Sequence, residues 1–102
     1  MKPGKNDIKT NLLIQGDELD AMQDIGYVFT ECFGLDTRIA NYKGKKPLGL
    51  YQWDYECLIA GLDYIVNNEK GREGQSQNDL DLLSNLLERI NRVYKKAYDS
   101  AG

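Results

Sequence analysis

The chain has 102 residues, enough for one domain, and its 41% hydrophobic and 28% charged residues exclude both a disordered chain and a fibrous repeat. With 13 basic against 16 acidic residues the formal charge is −3, so a broad phosphate-binding surface, and with it direct nucleic-acid binding, is not indicated. Histidine is absent, which removes Ser-His-Asp and Cys-His catalysis and histidine metal sites together.

Residues 1–9, with Pro3, Gly4 and several charges, read as a flexible tail ahead of a single α-helical domain at 10–102. No apolar stretch of signal-peptide length follows, and Leu12-Leu13-Ile14 is far short of the roughly 20 residues that span a bilayer. The expectation is a cytoplasmic protein with no membrane segment. Residues 10–15 fit a short strand or a helical turn equally well.

The first helix is predicted at about 17–33. Asp17 is placed to cap it and Asp20 to complete a capping box. Met22, Ile25, Gly26, Phe29, Cys32 and Phe33 share an apolar stripe at helical spacing, and Asp17, Asp20, Asp24 and Glu31 share a stripe on nearly the opposite side. Gly34 suits the end of that helix, and a short extra helix at 36–42 is an option after it. The Lys-, Gly- and Pro-rich run at 43–49 is a connector, with Pro47 suited to the first turn of the next helix.

That next helix, about 49–68, confines its polar residues Gln52, Glu56, Asp63 and Asn67 to one strip. Leu50, Trp53, Cys57, Ala60, Gly61 and Tyr64 fall to one side of it; Tyr51, Tyr55, Leu58, Ile59, Leu62, Ile65 and Val66 fall to the other. A helix apolar around most of its circumference is expected to be the central one. A polar loop at 69–77 leads to the last helix, about 78–98, entered through Ser76 or Asn78. Its apolar face carries Leu82, Leu83, Leu86, Leu87, Ile90, Val93, Tyr94 and Ala97. No segment sustains period-two alternation, so the fold class is all-α, a small bundle of three main helices.

Cys32 and Cys57 belong to no CxxC pattern and read as reduced, buried small hydrophobes. The acids of the first helix lack facing histidines and point away from the core, so no metal is expected there. Between Lys9 and Arg38 there is no base to neutralise them, which suits a surface that docks a basic protein. Tyr51 and Tyr55 lie on the second apolar side of their helix, where a small bundle leaves surface for a partner. No nucleophile–base pair is visible, and neither an enzyme nor a cofactor is expected.

These residues predict a small non-enzymatic module that binds another protein, as a regulator, adaptor, immunity protein or phage-encoded inhibitor. The predicted contacts are Asp17, Asp20, Asp24, Glu31, Tyr51 and Tyr55, and a homodimer or higher oligomer would cover the second apolar side. Two alternatives stand beside it. One is a homo-oligomer that sequesters a small ligand or nucleotide, with Tyr51 or Tyr55 stacking on a base and Lys43, Lys45, Lys46 or Arg92 holding phosphate. The other is a structural subunit of a larger assembly.

Overall fold

The computed structural model describes residues 9–30, 32 and 34–99; residues 1–8 of the expected 1–9 tail, Glu31 and Phe33 lie outside the described residues. The fold is predominantly helical. In chain order it runs β1 (Thr10–Leu12), α1 (Gly16–Asp24), a 3-10 turn (Gly26–Phe29), α2 (Leu35–Asn41), β2 (Leu48–Leu50), α3 (Gln52–Asn67), α4 (Glu69–Arg72), α5 (Gln77–Tyr94) and a π turn (Lys95–Asp99).

The three main helices and the short fourth follow the hydrophobic periods, with differences that have physical causes; one is the short helix α4 inside the expected 69–77 loop, capped by Asn68, whose side chain accepts from Lys70 N–H. First, of the two readings of residues 10–15, the strand is the one that forms, over residues 10–12. It pairs antiparallel with β2, with Thr10 opposite Leu50, Asn11 opposite Gly49 and Leu12 opposite Leu48. Leu48 therefore belongs to a strand rather than to the connector and Leu50 to that strand rather than to the start of the 49–68 helix; Pro47 precedes the strand instead of opening a helix, and its missing N–H costs no ladder bond there. Second, Asp17 does not cap α1. Gln15 occupies the N-cap without a side-chain bond, while its amide Nε2 donates to the Gly44 carbonyl at 2.6 Å.

Third, the 17–33 helix ends early. α1 closes at Asp24 and passes into a 3-10 turn, whose backbone bonds reach only three residues: Val28 N–H to Ile25 at 3.0 Å and Cys32 N–H to Phe29 at 3.1 Å. Gly34 then reverses the chain with φ +81°, a conformation that glycine adopts without strain. Fourth, α5 rather than α3 is the shared helix, since α5 packs on both α1 and α3. Ser76 caps it, its Oγ accepting from Asp79 N–H at 3.1 Å.

Leu83, Leu86 and Ile90 of α5 meet Tyr55, Leu58, Leu62 and Ile65 of α3, Met22 of α1 and Ile25 just after α1 in one fully buried core. Two ion pairs fasten its rim. Arg89 of α5 pairs with Glu18 of α1 and donates to the Leu13 carbonyl at 3.1 Å. Arg38 of α2 pairs with Asp54 of α3 at 3.3 Å and also donates to the Gly49 carbonyl. Asp54 is buried because it accepts from the Tyr51 N–H at 3.0 Å, capping α3 while holding Arg38.

Candidate functional site

α3 carries two apolar sides, and the structure buries the one expected to be exposed. Tyr55, Leu58, Leu62 and Ile65 are fully buried against α5. Tyr55 is therefore corrected from a partner contact to a core residue: its ring is 0% exposed, and its hydroxyl accepts from Thr10 Oγ1 across the strand–helix junction. Burial raises its pKa above the usual tyrosine value, the Thr10 hydrogen bond offsets part of that rise, and the neighbouring Tyr98 and Asp54 add to it. Tyr51 sits at the entrance of α3, half-buried, with its ring stacked on Trp53 at 4.9 Å and an interplanar angle of 12°.

The other side of α3 faces outward. Between it and the 3-10 turn runs an open apolar groove of about 470 Å³, lined by Val28, Cys32, Cys57, Ala60, Gly61 and Tyr64. Cys57, Gly61 and Tyr64 recur every three to four residues along one face of α3, so they form a row. Gly61 sets the depth of the groove. A Cβ there would stand 2.6 Å from the Phe29 ring and 3.0 Å from Val28, so only glycine lets the 3-10 turn lie this close to α3. One turn further along the helix, Cys32 and Cys57 are joined by a disulfide. The reading of both cysteines as reduced is thus corrected: two thiols 25 positions apart meet because Phe29 docking on Gly61 carries Cys32 to Cys57. In the chain-entropy view, closing a loop of that length is worth about 3–4 kcal/mol.

One aromatic side chain lines the groove: Tyr64, 43% exposed on its wall. Tyr27, the sequence neighbour of the lining residue Val28, is 61% exposed. On the far side of Ala60, Glu56 and Asp63 line a second depression with Tyr94 and Lys95. The acids of α1 end close by in sequence, Asp24 lying in the turn before Tyr27. Asp17, Asp20 and Asp24 are exposed, and among the described residues neither ion pair involves them. Glu31, the fourth acid of the predicted stripe, lies outside the described residues. Glu18 of α1 and Arg89 of α5 neutralise one another.

The connector lysines Lys43, Lys45 and Lys46 line a shallow depression with Asn41 and Tyr42. Tyr51 and Tyr55 do not border it; the aromatic ring that lines it is Tyr42. Among the described residues no group of three or more histidine, cysteine or acidic side chains converges as metal ligands would, and no helix is long and apolar enough to cross a membrane. The chain matches no known protein family, no curated protein and no solved structure.

The sequence carried a signal for this groove in the spacing of Cys57, Gly61 and Tyr64. Small residues on a helix otherwise rich in large apolar ones mark where another backbone comes close. The feature that hid it is the 3-10 turn, since a continuous helix through 33 would not have brought Cys32 and Phe29 onto α3.

Proposed function

We propose that this chain is a small non-enzymatic binding module whose ligand is another protein. The contact surface is the groove between the 3-10 turn and α3, with Tyr64 on its wall and Tyr27 next to Val28, together with the acids Asp17, Asp20 and Asp24. The observation that carries this reading is a large aromatic side chain, Tyr64, left 43% exposed on the wall of an apolar groove, with Tyr27, the neighbour of the lining Val28, 61% exposed. Tyrosine gives large contact area at low entropic cost and is enriched where partners bind. The unneutralised carboxylates on α1 favour a partner with a basic surface and speed its approach. They also disfavour a second copy of the chain on this surface, because it would bring the same acids. Regulator, adaptor, immunity protein and inhibitor all act in this way.

A cytoplasmic location belongs to this reading with one amendment. Cytosolic disulfides are usually transient, so Cys32–Cys57 favours a compartment where the bond persists or a role in which it turns over.

The test uses purified chain in three forms: wild type, Tyr64→Ala and Asp20→Lys/Asp24→Lys. Sedimentation of the wild type should give a monomer; a stable dimer lost on Tyr64→Ala would replace this reading with self-association. Proteins captured by the wild type and lost to both variants are then purified and titrated. The expected result is affinity reduced more than tenfold in each variant, with wild-type binding weakening as salt rises. A partner bound equally by all three forms would overturn the proposal.

A further inference from the structure

We propose that the Cys32–Cys57 disulfide is a redox latch on the groove: oxidised, it holds the 3-10 turn against α3, and reduction by a dithiol releases that turn and dismantles the groove. The regulatory consequence rests on the binding role proposed above; the latch itself does not.

Three observations carry it. Both cysteines line the open groove, and Cys57 is only half-buried, so an external thiolate has a path to the bond without unfolding the core. The segment that the bond secures has little backbone support of its own, and beside the disulfide its hold on α3 is the burial of Phe29 against Gly61. Its backbone bonds are single turns, Val28 to Ile25, Cys32 to Phe29 and Leu35 to Cys32, with the left-handed Gly34 immediately after. Such a segment is the kind that opens locally at low cost. Finally, the bond and the groove share residues. Val28 forms one wall, Cys57, Gly61 and Tyr64 form the other, and Cys32 joins the two. Losing the tie separates the walls.

The chemistry is thiol–disulfide exchange. One thiolate of the dithiol attacks the Cys57 sulfur, the S–S bond breaks, and Cys32 leaves as thiolate. The second thiol of the reductant then attacks the mixed disulfide, closes its own disulfide and releases Cys57. Two electrons pass from the dithiol to the pair, and Cys32 and Cys57 each take up a proton.

Hydrogen exchange of the wild-type chain, followed by mass spectrometry with and without dithiothreitol under native conditions, tests the latch. Iodoacetamide labelling counts the thiols released. Both cysteines should label without denaturant. The amides of Val28, Cys32 and Leu35 should exchange at least tenfold faster, while those of Leu83 to Ile90 keep their protection. The variant Cys32→Ser/Cys57→Ser should show the same pattern without reductant. Labelling only in denaturant, unchanged exchange in the turn, loss of protection throughout α5, or a double variant that does not fold would each make the bond a structural staple and overturn the proposal. None of these readouts needs a partner, so a groove that binds nothing would sink the binding role and leave the latch standing.

Discussion

Tyr55 places a phenol inside the core and gives it one hydroxyl partner, Thr10. Its raised pKa ties stability to alkaline pH. In the unfolded chain the phenol ionises near the usual value of about 10, while the folded chain holds the proton to higher pH. This contribution to stability is therefore complete below about pH 10 and is lost as pH climbs from there through the raised value. Melting temperatures measured on either side of about pH 10 should fall more steeply for wild type than for Tyr55→Phe; equal slopes would show that burial of this phenol is not the cause. Below that range Tyr55→Phe should cost about 0.5–1.5 kcal/mol, the worth of one hydrogen bond. Sequence periodicity placed Tyr55 on the correct side of α3 but could not say which side α5 would cover. Asp54, an acid in the first turn of α3, caps that helix by a local bond; its second role, holding Arg38, depends on α2 folding back, which no local pattern encodes.

At the scale of elements, α5 is the most faithful copy of its sequence pattern. Leu83, Leu86 and Ile90 are all fully buried, as their spacing demands. Leu86→Ala and Ile90→Ala should each cost about 2–5 kcal/mol in chemical denaturation, since each leaves a cavity between α1, α3 and α5; losses under about 1 kcal/mol would contradict the packing described. The 3-10 turn is the opposite case. Phe29, Cys32 and Met22 share a helical period, so the sequence reads as one helix, but the chain abandons that period after Asp24. What decides it is tertiary: Phe29 finds a flat site on Gly61, and Cys32 finds Cys57. The strand pair was equally hidden, because three-residue strands are too short to show alternation, and the Thr10–Leu50 pairing joins positions forty apart.

Over the whole molecule, charge and packing are separated in space. Among the described residues, two ion pairs consume Glu18, Arg89, Arg38 and Asp54, and Asp17, Asp20 and Asp24 stand on an exposed face. Like charges four apart on a helix weaken it slightly, so the Asp20–Asp24 pair does not serve the fold, whereas Asp17 lies in the first turn of α1, where the helix dipole favours a carboxylate. Asp20→Lys/Asp24→Lys should leave the melting temperature unchanged or slightly raised. A drop of several degrees would mean these carboxylates hold a structural contact, and the binding role assigned to them would lose its basis. The helical class, the number of main helices and the acidic face were readable from periodicity and charge. The groove was not, because it is made by two segments that the chain brings together only after α2, the connector and β2 have intervened.

The Cys32–Cys57 bond also changes the covalent topology of the chain. It closes a ring that contains all of α2, the lysine connector, β2 and the first turn of α3. A protease that cuts after the exposed Lys43 or Lys45 would break the backbone inside that ring without dividing the molecule. The two pieces would stay joined through sulfur, and a single scission would turn into two separate polypeptides only after reduction.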